Sequence, residues 1–348
     1  MGPRFYFRLN SLAGNASETT ASMSSEGLEA NAHEVFPDMA YLRVIERPFN
    51  TEGIIVEADR FAAEAVLLGA HLYAPGVRNC RGLKAGMKST VVDPTGTPVG
   101  SGMSRQGETM ILRYHSGIAI EIRQSRFRIP PLRETIWYEQ GLIHLQSLPS
   151  MVTCRVLDPQ HGDVIVDLNC APAGKMSYLC QLTDNKARVV GFDRNPQKVG
   201  KAREHLERLQ CKNYELIAHD SRYAHLDYNI NADRVLVDPP CTGLGVVPKL
   251  AVETTMADVE NLSAYQKQFL VAAAAMVKKG GVVVYSVCTI TGKECEDIID
   301  FAQDKLDLLE DSAEPMVGRP GLDPKGLSQR FDPELDGAGY FIARFVKQ

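Results

Sequence analysis

Apolar runs and helical stretches alternate along the C-terminal half of the chain. The runs in "DVIVDL", "ARVVGFD", "YELIAHD", "ADRVLVDPP" and "GGVVVYSVCTI" read as strands. The segments "GKMSYLCQL", "NPQKVGKAREHLERLQ", "SAYQKQFLVAAAAMVKK" and "GKECEDIIDFAQDKL" read as helices, and the chain closes on a last strand in "GYFIARFVKQ". Apolar runs joined by helices predict an α/β, Rossmann-like, doubly wound and mainly parallel sheet, here over 151–348.

Between 51 and 123 the texture differs. Short Val/Ile runs alternate with Gly and Pro turns in "GIIVEA", "STVVDPTGTPVGSG" and "ETMILRYHSGIAIEI", which predicts a small β-barrel domain. Asp93-Pro94-Thr95-Gly96 punctuates a hairpin within it. The stretch from Ser11 to Glu34 is rich in Ser, Ala, Glu and Asn; its pattern suits a surface helix or a loop equally.

The 348 residues suffice for two or three domains, and 44% hydrophobic with 23% charged residues is ordinary for a soluble globular protein. No apolar run is long enough to cross a bilayer and no signal peptide opens the chain, so a cytoplasmic protein without a membrane partner is expected. Eight cysteines without a C-x-x-C pair suggest reduced thiols, and eight histidines show no ligand spacing, so no metal is expected. No dimerisation stripe is evident, which leaves a monomer as the default. Net charge is -5, yet local charge decides phosphate contact. Two basic runs stand out: Arg78, Arg81, Lys84 and Lys88 in one, and Arg123, Arg126, Arg128 and Arg133 in the other.

Candidate chemistry sits at strand ends, where open α/β sheets bind ligands. The first strand runs into "DLNCAPAGK", Asp167 to Lys175, whose small residues and helix start let backbone approach a ligand. Asp193 ends the next strand, where an acid suits the hydroxyls of a ribose; Asp220 and Asp238 end the third and fourth. Any one of these is ordinarily a cap or turn residue. Their succession points to a nucleoside cofactor. Lacking a P-loop, the chain fits S-adenosylmethionine better than ATP, while NAD stays open on these residues alone.

Cys241 in "DPPCTGLG" and Cys288 in "YSVCTI" also fall at strand carboxyl ends. A free cysteine is by default a small buried hydrophobe, the reading for Cys154, Cys180, Cys211 and Cys295. A thiol beside a methyl donor has another use. Cytosine carbon 5 is a poor nucleophile, but a thiolate added at carbon 6 makes an enamine whose carbon 5 accepts a methyl group. An acid near ring nitrogen 3, for which Asp238 is placed, stabilises the developing charge.

These motifs, with "FDRNPQKV", "GLIHLQSLPSM" and "RFDPELDGAGYFIARF", resemble the Sun-domain RNA cytosine-5 methyltransferases from about Gly141 to Val346. The resemblance implies S-adenosylmethionine as donor and an RNA cytosine as acceptor. It also implies Cys288 as nucleophile, Cys241 as the thiol of release, and Asp238 with Lys175 as supporting groups. Cys241 is the runner-up nucleophile, as in DNA cytosine-5 enzymes. Cofactor contacts are implied for Asn169, Cys170, Ala171, Pro172, Ala173, Gly174, Lys175, Asp193, Lys198, Asp220 and Asp238. Asn169 and Ala173 stand where the family has Cys and Gly; the alanine methyl lies where the backbone passes the cofactor, and tolerance rather than loss of binding is expected because Gly174 and Lys175 remain.

"YFRLNSL" resembles the family's N-terminal RNA-recognition-like element, giving 1–50 as its first part and 124–150 as its continuation. "AEAVLLGAHLYAPGV" and "VVDPTGTPVGSG" resemble a PUA domain over 51–123. This order resembles the sixth Sun-domain type, which implies tRNA as partner and a cytosine near the 3′ end of the acceptor stem. Arg78, Arg81, Lys84, Lys88, Arg126 and Arg128 then become the expected RNA contacts. The competing readings are an RNA-binding protein with a vestigial fold and a DNA enzyme using Cys241.

Overall fold

The apolar runs of the C-terminal half do pair, and their order makes a crevice. In the computed structural model, which describes residues 4–348, the chain divides into two units. One comprises Arg4–Leu42, Leu132–Val247 and Thr254–Gln348; the other comprises Arg43–Pro131 and Pro248–Glu253. Residues 1–3 of the N-terminal element expected over 1–50 lie outside the described residues.

The first unit is built on a nine-stranded sheet. Its principal strands are β1 (Val164–Asp167), β2 (Arg188–Asp193), β3 (Tyr214–Ala218), β4 (Ala232–Val237), β5 (Val277–Val287) and β6 (Tyr340–Lys347). They lie in the order β3-β2-β1-β4-β5-β6, parallel from β3 to β5, with β6 antiparallel. Three short C-terminal strands extend the β6 edge. The chain winds outward from β1 to β3 and then returns to β4 on the other side of β1. That reversal opens a crevice at the carboxyl ends of β1 and β4. Both faces are covered: Leu236 of β4 joins one apolar cluster, while Val235 and Val237 join another.

Helices α1 (Gly174–Leu182), α2 (Pro196–Arg208), α3 (Met256–Met276) and α4 (Glu296–Leu306) cover the sheet. The α3 helix was expected over 263–279 but begins and ends earlier. A capping box starts it, with Thr255 and Asp258 each accepting the other's backbone N–H. At its far end Val277 already pairs with Ala232 in the sheet, so tertiary pairing overrides the helical pattern of "AMVKK".

The same unit holds a four-stranded sheet in the order Ile143–Leu145, Arg4–Leu9, Met39–Arg43, Asn31–Ala32. Asn15, accepting from the N–H groups of Ser17 and Glu18, starts a helix at Ala16–Ser25. The open choice over Ser11–Glu34 therefore resolves in part to a helix. Arg8, fully buried, donates to Ser177 Oγ of α1 at 2.7 Å, and Arg155 and Tyr178 both donate to Asp38.

In the second unit six strands curl into a nearly closed barrel. Its edge strands, Leu72–Tyr73 and Val77–Asn79, are consecutive in the chain and joined by one 3₁₀ turn. The expected hairpin joins Lys88–Val92 to Pro98–Ser104, with Asp93 Oδ1 accepting from the N–H groups of Thr95 and Thr97. Leu250, from the short returning piece Pro248–Glu253, packs on the barrel core. Among the described residues no helix is long and apolar enough to cross a membrane.

Candidate active site

At the end of β1 the chain turns through Asn169–Ala173 before α1 begins. Ala173 takes a left-handed conformation (φ 74°). A non-glycine residue bears a steric cost of about 1–2 kcal/mol there. Its side chain is wholly buried in the apolar core, between Pro172 and Gly174, which both line a cavity. The packing reason lies next door: a side chain at Gly191 would meet Cys170 Sγ at 2.9 Å and Met176 Sδ at 2.6 Å, so turn and β2 touch without spare room.

The turn walls a cavity of about 340 Å³ together with Asp167, Gly174, Lys175 and Asp238. Its opposite wall, from Arg133, Tyr138, His144, Gln146, Ser150 and His205, was not foreseen. His144 and His205 share a hydrogen bond at 3.1 Å. Burial, with nearby arginines, pushes both imidazoles down, His205 to about 4, so both rings are neutral at physiological pH beside the charged Arg133. Burial likewise raises the Asp167 carboxyl to about 7, although its Oδ1 accepts the Asn169 N–H. Two buried acceptors in the wall, Asn169 Oδ1 and Gln146 Oε1, have no donor.

Asp238, at the end of β4, is the hub of the crevice. Its Oδ2 accepts from Lys175 Nζ at 2.6 Å and its Oδ1 from Ser286 Oγ at 3.0 Å and Tyr340 Oη at 3.1 Å. Burial works against the Lys175 charge, but Asp238 and Tyr340 outweigh it and hold the ammonium well above the ordinary lysine value.

The two thiols meet here. Cys241 Sγ and Cys288 Sγ are 3.4 Å apart, both half-buried. Either sulfur can donate in this contact; with Cys241 as the donor the Cys288 thiol falls below its ordinary value and Cys241 rises. A lowered thiol is the more nucleophilic one at neutral pH. Cys154, Cys180, Cys211 and Cys295 are buried in the core.

The remaining expected cofactor residues lie along the strand ends. Asp193 Oδ1 accepts the Asn195 N–H at 2.8 Å, and Lys198 is exposed on the first turn of α2. Asp220 is engaged by the Arg222 guanidinium through both oxygens, which holds its carboxyl below the usual range. In the barrel unit Arg78, Arg81, Lys84, Lys88, Arg126 and Arg128 are all exposed. Lys88 pairs with Glu52 at 2.9 Å and Arg126 with Glu46 at 2.7 Å.

Residues 154–346 match the family described as 16S rRNA methyltransferase RsmB/F, and 54–125 match the PUA domain. A tRNA (cytosine(72)-C(5))-methyltransferase of Pyrococcus horikoshii is 36% identical over 99% of this chain and 89% of its own length. The Homo sapiens tRNA (cytosine(72)-C(5))-methyltransferase NSUN6 is 29% identical, covering 81% of this chain and 73% of its own. The crystal structure of NSun6 from Pyrococcus horikoshii with SFG superposes with a TM-score of 0.91 at 35% identity, over 99% of this chain and 91% of that one. With the paired thiols, the Asp238 hub and the reversal of strand order in one crevice, the chain belongs to the RsmB/F methyltransferase family and carries a PUA domain.

Proposed function

We propose that this chain transfers a methyl group from S-adenosylmethionine to carbon 5 of a tRNA cytosine near the 3′ end of the acceptor stem. Cys288 forms a covalent adduct with carbon 6 and Cys241 assists release. The observation that carries the reading is the 3.4 Å pair of thiols at the ends of β4 and β5, beside Asp238.

The cavity suits the donor. Asn169 Oδ1 and Gln146 Oε1, buried acceptors without donors, fit an ammonium such as that of its amino-acid part. The turn Asn169–Lys175 and Asp238 bound that end; Asp193 suits ribose hydroxyls, Lys198 lies near them, and Asp220 acts as part of its ion pair with Arg222. When bound, S-adenosylmethionine supplies the methyl group as a cation equivalent.

Cys288 Sγ, favoured as thiolate, bonds to cytosine carbon 6, and the displaced electron pair enriches carbon 5. Asp238, fixed by Lys175, Ser286 and Tyr340, accepts the N–H of a ring nitrogen 3 that takes a proton from solvent as the adduct forms, and so limits charge on the ring. Release needs transfer of the carbon 5 proton to solvent water and expulsion of Cys288 Sγ. A neutral Cys241 donates its S–H to the departing sulfur and eases that step.

On this reading the exposed Arg78, Arg81, Lys84, Lys88, Arg126 and Arg128 meet tRNA phosphates. The domains run 1–50, 51–123, 124–150 and 151–348; strand 143–145, pairing on residues 7–9, supports assigning the end of 124–150 to the N-terminal element, while 43–50 and 124–131 fall in the barrel unit. The chain works as a cytoplasmic monomer, a setting that suits its eight free cysteines.

The test is a denaturing gel of Cys241→Ala and Cys288→Ala, each incubated with S-adenosylmethionine and total tRNA. A nuclease-sensitive, slow-migrating band with Cys241→Ala alone is expected. The reverse pattern would give attack to Cys241. No band in either, with no methyl transfer by the unmodified protein, would sink the reading.

A further inference from the structure

Each thiol is followed by a threonine, Thr242 after Cys241 and Thr289 after Cys288, and the two hydroxyls lie 2.6 Å apart. Behind them is Glu294, wholly buried at the end of a 3₁₀ turn, Gly292–Glu294. Its Oε1 accepts the Thr242 backbone N–H at 2.9 Å and Gln266 Nε2 at 2.9 Å. Its Oε2 accepts Thr242 Oγ1 at 2.6 Å, Thr291 Oγ1 at 2.9 Å and Thr289 Oγ1 at 3.3 Å. Gln266 also donates to Pro240 O at 3.0 Å, which ties the residue before Cys241 to the same centre. A buried carboxyl group held by so many donors is a costly feature to keep in a core. Here it joins the two loops that carry the thiols.

We propose that Glu294 is the positioning residue of the thiol pair: through Thr242 and Thr289 it sets the register of Cys241 against Cys288. The inference rests on the two-thiol reading above. Glu294 reaches across to the Cys241 loop by a backbone and a side-chain bond, whereas the Cys288 loop is its own stretch of chain, joined to it by Thr289 and Thr291 and by the backbone itself. Loosening it therefore displaces Cys241 more than Cys288, and release suffers before attack. Glu294→Gln replaces one acceptor oxygen with an amide that faces donors.

Purified full-length Glu294→Gln is incubated with S-adenosylmethionine and total tRNA, beside Cys241→Ala. The expected result is a kcat about 100-fold lower, the scale for displacement by about 1 Å. The KM for S-adenosylmethionine should hold, and a covalent protein–RNA band should accumulate as in Cys241→Ala. Thr242→Val against Thr242→Ser repeats the test should Glu294→Gln not fold: the valine variant should trap RNA and the serine variant turn over. A variant that loses cofactor affinity and rate together, or turns over without a band while Cys241→Ala traps RNA, overturns the positioning role and spares the two-thiol reading. Absence of a band in Cys241→Ala as well overturns both.

Discussion

Asn169 Oδ1, just past the end of β1, and Gln146 Oε1 are buried without a donor on residues that line the cavity, whereas at the ends of β4 and β5 Glu294 accepts from four residues and Asp238 from three. A buried acceptor left unpaired costs about 1–3 kcal/mol. The fold carries that cost where a ligand can supply the missing donor, and nowhere around the thiols. On the proposed reading, one end of the crevice is completed by its ligand, and the other must be complete beforehand because attack and release both depend on a fixed distance.

Breaking the completed end should have the largest effect. Lys175→Met leaves Asp238 without its cation, and removal of one partner of a buried pair costs about 3–5 kcal/mol. A clear fall in melting temperature and a loss of methyl transfer of about 100-fold or more are expected. A stable, active Lys175→Met would mean the hub does not need its ammonium.

The unfinished end should respond the other way. Asn169→Ala removes an unpaired acceptor, so melting temperature should hold or rise, while the Kd for S-adenosylmethionine, read by calorimetry, rises about tenfold, or about 1.4 kcal/mol. A less stable variant with unchanged affinity would erase the contrast.

Between the two ends lies Asp167, whose folded value near 7 stands above the ordinary 3.8. Its protonated form is favoured by the fold, so its contribution is complete below about pH 4 and is lost as pH rises through about 7. Asp167→Asn should therefore gain melting temperature over the unmodified protein at pH 8 but little at pH 4. A pH-independent difference between the two would contradict this.

The same contrast, in its mildest form, concerns the barrel. Lys84 has no ion-pair partner among the described residues, while Lys88 has Glu52. Lys84→Ala should lower the salt dependence of tRNA binding by about one phosphate contact, and Lys88→Ala by less. Slopes unchanged from that of the unmodified protein would place both lysines away from the RNA.

Local motifs made the proposed reacting groups legible. Asp193, Asp238, Cys241 and Cys288 each end an apolar run, so strand and site are written in the same few residues. The far wall of the cavity is written nowhere locally. His144 comes from a strand paired with the N-terminus and His205 from α2; only tertiary packing brings them to 3.1 Å. Glu294 was hidden because it reads as one more acid near a helix start in "GKECED", where an exposed carboxylate is the ordinary expectation. The Asp220 pairing was equally invisible, although Arg222 stands two residues on.

The short piece Pro248–Glu253 has a consequence for how such proteins can be rearranged. It lies in the loop that follows Cys241 yet belongs to the barrel unit, where Leu250 joins the core. Glu64 there accepts the Leu250 N–H, and Arg60 donates to the Ala251 carbonyl. A barrel cut out as 43–131 would keep its strands but lose this plug and leave Glu64 and Arg60 without those backbone partners. The barrel is therefore not a cassette with two ends. Inheritance, exchange or loss of the basic unit must carry with it a piece of the loop that follows Cys241.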